Sequence, residues 1–418
     1  MRVEIESIAF GGSGIAKKDG KVFFVKGGLP HDILDIKIIN DKGSYAEAVI
    51  EAIVEPSAER VEPPCPVFGL CGGCQFQNLG YSAQLREKEN VLRETVERIG
   101  GFRDVRIDTI FPSPSEYGYR SRTLLSAWYF SGDWHAGYFQ EKSRNMVKVV
   151  SCPITDRCIN GAISRLSDVL SSIGDPRYPL EKIYMSSDGT SAYITLVPYF
   201  RSGPASLGAL VRHLRRFEET KNVSVIGNNE VEFEFSLSGY RFLTSPSVFT
   251  QSNTPVNEAV IDTVLKWSEL NGTETVLDLY SGIGNFSVPL AKCSKQVISV
   301  EINKRAAGFA QKNAELNGLQ NIIFHNASCE EYLPGHNMSA QPVDIVVLDP
   351  PREGAKGAVA EVTRLSPGKI IYVSCDPATL ARDLKMFVDS GYELAGIKPF
   401  DMFPQTYHIE SASLLVRS

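Results

Sequence analysis

The stretch Thr275–Phe286, TVLDLYSGIGNF, decides the fold. Its first half is a continuous apolar run around Asp278, the pattern of a strand buried on both faces of a parallel sheet. Its second half is a turn in which Gly282 and Gly284 let the backbone bend tightly and approach a ligand closely. Outward from this core the same alternation repeats. A helix over Val256–Leu270 leads in. After the turn come a short helix, the strand QVISVEIN, a helix through Asn317, IIFHNA, VDIVVLDPP, a helix, KIIYVSC and a last helix from Pro377. This βα alternation predicts a doubly wound, mostly parallel sheet, with ligands at the carboxyl ends of its strands.

Three carboxylates fall at those strand ends: Asp278 before the glycines, Glu301 on the next strand, and Asp349. An acidic residue in the place of Glu301 can bind both hydroxyls of a ribose. A dinucleotide site wants G-x-G-x-x-G, and the third position here is Ser287. Asp278 suits a cofactor with a cationic amino-acid end better than a pyrophosphate, so the pattern points to S-adenosylmethionine. Cys375, in KIIYVSCDP, sits between a strand and a helix. A thiol at a helix N-terminus gains thiolate character, which suits a nucleophile; the alternative is a small buried hydrophobe. Glu410, in YHIESASLL, lies within an apolar strand, either as a functional carboxylate or as a solvated surface group. His408 reads as a hydrogen-bonded core histidine in preference to a second titrating group.

Upstream the texture changes. RVEIESIAF, KVFFVKG, DILDIKIIN and YAEAVIEAIV are β-rich runs separated by GGSG, GGLP and NDKGS turns. Such close spacing predicts a small OB-like barrel, a frequent oligonucleotide-binding shape, or a generic small β-domain. Glu55–Pro64, EPSAERVEPP, reads as a linker. Leu85, Val91, Leu92, Val96 and Ile99 keep a helical spacing, with charged residues on the other face. Beyond it, TLLSAWYF, HAGYFQ, AYITLVPYF and VEFEFSLSGYRFLT read as strands of one antiparallel sheet. Arg120 and Arg122, interleaved with Tyr117 and Tyr119, suit phosphate contact and base stacking, or an ordinary strand edge.

Cys65, Cys71 and Cys74 form C-x5-C-x2-C, with Cys152 a fourth candidate ligand and Cys158 a fifth. Four thiolates hold either zinc or a [4Fe–4S] cluster, and spacing does not choose between them. Cys293 and Cys329 lie in helical segments with no assigned task. The chain has 418 residues, 43% hydrophobic and 22% charged, which predicts two to three globular domains. A net charge of −6 excludes coating of nucleic acid by bulk charge, though not recognition of one folded site. No apolar run reaches membrane-span length, and the charged N-terminus is unlike a signal peptide. A cytoplasmic protein with reduced thiols is expected.

DLYSGIGNFS, LDPPREG, VSCDP and HIES, in that order, resemble the motifs of RNA (uracil-5-)-methyltransferases of the RumA/TrmA type. The resemblance spans nearly the whole chain: the N-terminal barrel resembles the TRAM domain, and CPVFGLCGGCQ resembles the family's cluster motif. It implies three parts. These are an OB-like TRAM β-barrel over 1–58, a central α+β iron–sulfur domain over 59–248, and a Rossmann-like class I methyltransferase domain over 249–418. The helix region 80–110 is expected to pack with the catalytic part. The resemblance also implies a [4Fe–4S] cluster on Cys65, Cys71, Cys74 and Cys152. Cys375 matches the nucleophile that adds to carbon 6 of uracil, and Glu410 the base that removes the proton from carbon 5. Gln251 and Asp349 match positions beside the methyl donor and the flipped base, while Tyr280, Asn285, Glu301 and Asn326 match cofactor contacts. DPPR differs from the DPPY motif of many amino-methyltransferases, which favours carbon as the acceptor. The implied substrate is a uridine of large-subunit (23S) ribosomal RNA, with a tRNA T-loop uridine as the alternative. A non-catalytic RNA-binding or redox-sensing protein is the rival of another class. A monomer is expected.

Overall fold

The computed structural model describes residues 1–172, 179–199, 202–335 and 342–418. At the N-terminus lie β1 (Arg2–Glu4), β2 (Ser7–Ile8), β3 (Ser13–Lys18), β4 (Lys21–Lys26), β5 (Ile33–Asp41) and β6 (Tyr45–Glu55). β1 and β2 are two halves of one bent run. β1 pairs with β5 and β2 with β3, so the order β1-β5-β6-β4-β3-β2 closes on itself as a barrel. Val3, Ile5, Phe23, Val25, Leu34 and Ile36 fill it. The GGSG turn is shorter than the sequence suggests, because Ser13 and Gly14 already belong to β3. A Cβ on Gly14 would meet the Gly28 carbonyl at 2.6 Å, so only glycine fits this crossing. The Pro-rich segment after the barrel is tied down and does not behave as a free linker. Asp32, fully buried, accepts from Ser57 N–H at 2.9 Å and from Arg60 Nε at 2.8 Å.

α1 (Tyr81–Thr95) runs into a π-helical turn over Val96–Gly100. The wider turn rotates the helix face, so Val96 and Gly100 are buried while Ile99, expected on the apolar face, stays exposed. Lys88, expected among the solvated charges, is 1% exposed and pairs with Asp401 at 2.6 Å. Its spacing from Gln84, Val91 and Leu92 places it on the buried face, and Asp401 compensates the charge.

The central sheet contains β7 (Arg122–Phe130), β8 (Asp133–Phe139) and β9 (Met146–Lys148), then, after α2 (Arg157–Ser171), β10 (Leu180–Ser187) and β11 (Ala192–Pro198). α3 (Gly208–Leu214) and β12 (Asn222–Val225) complete it in the order β12-β11-β10-β7-β8-β9. Only the β11–β12 pair is parallel. Ile159, Ile163, Leu166 and Leu170 of α2 pack on Leu125, Ile183 and Ile194. VEFEFSLSGYRFLT, expected in this sheet, forms a separate hairpin of β13 (Phe233–Leu237) and β14 (Tyr240–Thr244). Leu237 and Phe242 join the core of the C-terminal sheet instead, and the Asn313 side chain clamps Leu243 through its N–H at 2.7 Å and its carbonyl at 3.2 Å.

The last region runs α4 (Thr254–Ser268), β15 (Thr275–Leu279), α5 (Ser287–Cys293), β16 (Gln296–Val300), α6 (Lys304–Leu316), β17 (Ile322–His325) and α7 (Cys329–Gly335). It continues with β18 (Ile345–Leu348), α8 (Lys356–Leu365), β19 (Lys369–Ser374), α9 (Pro377–Asp389), β20 (Tyr392–Phe400) and β21 (Glu410–Arg417). α7 is the helical segment expected around Cys329. Strand order is β17-β16-β15-β18-β19-β21-β20, with β21 antiparallel to both its neighbours. Leu277 and Leu279 face α1, α8 and α9, while Val276 faces α4, α5 and α6, giving three layers. The reversed β21 matters for the site. Its first residues lie beside the end of β19, with Ser374 opposite Ser411, so Glu410 arrives where Cys375 leaves the sheet.

Candidate active site

A cavity of about 810 Å³ opens at the carboxyl ends of β15, β16, β18 and β19. Gln251, Tyr280, Asn285, Glu301, Asp349, Cys375 and Glu410 all line it. The glycine turn is left-handed at Tyr280 (φ 62°) and Gly282 (φ 56°), and it presents the Gly282 N–H to a neighbouring carboxylate. Gly282 N–H donates to Glu301 at 2.8 Å, and Asn303 N–H does so at 2.6 Å. Asn285 exchanges two amide hydrogen bonds with Asn257, at 2.8 and 3.2 Å. Asn326 lies outside the cavity lining: its amide donates to the Glu301 carbonyl at 2.8 Å and steadies that strand end. Asp278 also lies outside the lining. It is fully buried beneath the turn and accepts the Ser287 hydroxyl at 2.5 Å, and burial raises it to about 7. It is therefore not placed to meet a cationic ligand.

The reactive pair behaves differently from the sequence expectation. Cys375 is half-buried just before Asp376, the N-cap of α9, whose side chain accepts from Ala378 and Thr379 N–H. The cap satisfies the donors that would have favoured a thiolate. Burial, then Glu410 and Asp349, push Cys375 up to about 12, and Arg352 opposes them. Glu410 is 2% exposed, so the solvated reading fails; its Oε1 has no hydrogen-bond partner. Burial and then Asp349 hold it well above the usual carboxylate range. Burial raises Asp349 to about 7 against a hydrogen bond from Gln251. Three acids thus share one desolvated wall, where like charges cannot all coexist. His408 lines the same cavity. Burial lowers it to about 3, and its Nε2 lies 3.2 Å from Arg352 Nη2, so the neutral ring accepts there.

Arg352 and His408 also border a second cavity of about 500 Å³, lined by Cys65, Cys71, Cys74, Cys152 and Arg120. The four cysteines predicted as ligands therefore face one space, and Cys158 does not. Burial pushes the Cys65 and Cys71 thiols up and Cys74 to about 12. Among the described residues, no three His, Cys, Asp or Glu side chains are arranged to hold a metal ion. Cys293 is exposed, and Cys329 is buried against the catalytic cavity beside Tyr280. Arg122 lies 4.9 Å from the Phe249 ring centroid. Tyr119 is buried and donates its hydroxyl to the Pro404 carbonyl at 3.0 Å, so it is unavailable for base stacking.

Sequence reasoning missed Phe249, Asn257 and Arg352. Phe249 is 63% exposed on the cavity wall, two residues before Gln251. An exposed aromatic so close to a site residue was the available signal. Asn257 lies on the buried face of α4 and Arg352 directly after DPP, and neither carries a periodic signature. Among the described residues, no helix is long and apolar enough to cross a membrane.

Six strands running one way, an antiparallel strand inserted before the edge strand, and a glycine turn answered by a carboxylate on the next strand define a class I methyltransferase fold and site. Residues 80–418 match the tRNA (Uracil-5-)-methyltransferase family model and residues 1–50 the TRAM domain model; the chain belongs to this family of RNA-modifying enzymes. It is 33% identical to a 23S rRNA (uracil(1939)-C(5))-methyltransferase of Vibrio parahaemolyticus, over 100% of this chain and 96% of that one. It is also 33% identical to an uncharacterized RNA methyltransferase of Thermosynechococcus vestitus, over 100% and 98%. The crystal structure of a Pyrococcus abyssi tRNA (uracil-54, C5)-methyltransferase with S-adenosyl-L-homocysteine superposes with a TM-score of 0.73, 26% identity and full coverage of both chains.

Proposed function

We propose that this enzyme methylates carbon 5 of a uridine in large-subunit (23S) ribosomal RNA through a covalent adduct with Cys375, with Glu410 as the base. One observation carries the reading: Cys375 and Glu410 leave adjacent strands into one cavity that also holds the glycine turn and Glu301. The relatives acting on 23S rRNA, matched along nearly their whole length, support the substrate. The Pyrococcus structure keeps tRNA as the second reading.

The cavity residues fit S-adenosylmethionine. Glu301 and the turn suit its ribose, and Tyr280, Asn285, Gln251 and Asp349, which line the same cavity, would hold the rest. When bound, it supplies the methyl group. Carbon 5 of uracil is a weak nucleophile until the Cys375 sulfur adds to carbon 6 as thiolate, its proton passing to water. Arg352 favours the developing thiolate. After carbon 5 is methylated, Glu410 takes its proton, the carbon 5–carbon 6 double bond re-forms, and the thiolate leaves. Because Glu410 is held high, this step slows as pH falls. The target base reaches the cavity by leaving its stack, at a cost of a few kcal/mol.

The division into a barrel (1–58), a central part (59–248) and a catalytic part (249–418) belongs to the same reading, as do a cytoplasmic location and a monomeric state. The barrel and Arg120 would contact RNA outside the cavity. Cys65, Cys71, Cys74 and Cys152 would hold a [4Fe–4S] cluster, to which no step is assigned. Glu410→Gln should trap an RNA adduct that survives denaturing electrophoresis, whereas Cys375→Ala should form none. A Cys375→Ala enzyme that still methylates RNA overturns the mechanism. Labelled methyl donor with separated rRNA and tRNA fractions decides the substrate. Iron and sulfide analysis after anaerobic purification decides the cluster, which a colourless zinc protein would refute.

A further inference from the structure

Between Phe400 and Glu410 the chain crosses the interior of the protein. Asp401, Met402, Gln405 and Thr406 are each no more than 4% exposed. Loops normally run over the surface, because buried peptide groups need partners. Here the partners come from far away in sequence. Asn253 Nδ2 donates to the Met402 carbonyl at 3.2 Å, Lys88 Nζ to the Phe403 carbonyl at 3.0 Å, and the Tyr119 hydroxyl to the Pro404 carbonyl. Gln405 is bound most heavily. Its N–H donates to Gln84 Oε1 at 2.9 Å, and its Oε1 accepts from Gln84 Nε2 at 3.0 Å. Its carbonyl accepts from the N–H groups of Gln75 and Phe76, at 3.1 and 3.0 Å, the two residues after Cys74.

These bonds secure an unfavourable conformation. Gln405 has φ 70°, a left-handed value that a non-glycine residue keeps only where its surroundings over-determine it. Apart from Asn253, every strap just named comes from residues 75–119, outside the sheet that carries Cys375. Cys375 follows β19, which is held on both sides by β18 and β21. Its placement therefore does not depend on the straps, whereas Glu410 is the first residue of β21, paired with Phe400 at the point where the strapped loop enters the sheet.

We propose that Gln84 and Gln405 are positioning residues for the proton-removal step: by locking the turn at Gln405 they fix where the Glu410 carboxylate stands against carbon 5 of the substrate. The inference rests on the base role of Glu410. In that step the carboxylate takes the carbon 5 proton, the electrons of that bond form the carbon 5–carbon 6 double bond, and the sulfur–carbon 6 bond breaks to release thiolate. Loosening the loop slows this release and leaves sulfur addition and methyl transfer intact.

The test compares wild type, Gln84→Ala and Glu410→Gln as full-length enzymes on the RNA fraction they methylate. First-turnover methyl transfer, steady-state kcat, cofactor affinity and the fraction of protein bound to RNA on a denaturing gel are all measured. Gln84→Ala should lower kcat roughly 10- to 100-fold, the scale of a misplacement near 1 Å. First-turnover transfer and cofactor affinity should stay near wild type, and the trapped adduct should rise severalfold. Gln84→Glu keeps an acceptor for the Gln405 N–H, so it should fall between the two and serves if Gln84→Ala does not fold. Wild-type turnover in both variants overturns the inference. So does a loss in which first-turnover transfer falls in step with kcat and no adduct accumulates. Absence of adduct in Glu410→Gln instead overturns the base assignment itself, whatever Gln84→Ala does.

Discussion

The two cavities meet at Arg352 and His408, yet they are built by different means. The catalytic cavity is assembled by the sheet. Strand register brings the start of β21 beside the end of β19, which Cys375 follows, and Asp349 follows a strand whose side chains are all buried. The cysteine cavity is assembled mostly by irregular chain, residues 65–77 and 151–154, against the edges of β7 and β8. There the four thiols share one space. Regular elements hold groups to fractions of an ångström, and loops do so only where something else fixes them.

The sharpest way to break this comparison is to exchange the importance of the cysteines. Cys375→Ala should lose methyl transfer by at least about 10⁴-fold while still binding the cofactor in calorimetry. Cys74→Ala should lose much less. If it is equally dead, the cysteine cavity cannot be separated from catalysis. A second test concerns the stitching between the regions. Lys88→Met strands Asp401 in the interior and should cost about 3–5 kcal/mol in urea unfolding. Lys88→Met with Asp401→Asn should recover most of it.

A third test probes the buried acids of the catalytic side. Asp278 stands at about 7 in the fold, above its unfolded value, so its burial carries no penalty at low pH where both states are protonated. The penalty grows as pH rises through the folded value, at about 1.4 kcal/mol per unit of separation. Asp278→Asn should therefore raise the melting temperature at pH 8 and leave it nearly unchanged at pH 4. The smallest effect belongs to Arg120, at the mouth of the cysteine cavity. Arg120→Ala should lower the salt slope of RNA binding by about one, read by filter binding across ionic strength.

What was legible followed from periodicity and punctuation. TVLDLY could only be a strand buried on both faces, and the glycines after it marked the ligand turn. What was not legible depended on partners distant in sequence. Apolar periodicity gives no weight to Lys88, although its position on α1 is as buried as that of Leu92. Ile99 was misplaced because a π-turn leaves no compositional trace. At Cys375 burial raises the thiol most, and Asp376 caps the helix whose N-terminus was expected to favour the thiolate. Asn326 and Asp278 turned out to support the strand ends from outside the cavity, and strand-end position alone does not separate support from contact. The hairpin at 233–244 left the central sheet because its apolar face and Asn313 matched better elsewhere.

The buried loop before β21 also has a consequence for the order in which the protein is made. Gln84 and Lys88 find their partners 321 and 313 residues later. At about 5–20 residues per second, roughly 15–65 s pass between their synthesis and that of the loop. Throughout that time α1 carries an ammonium and an amide on a face meant for the interior, with nothing yet to answer them. The catalytic core can close only when nearly the whole chain has left the ribosome. A chain interrupted before residue 401 should thus display an incomplete, charge-bearing groove of the kind that chaperones and proteases recognise.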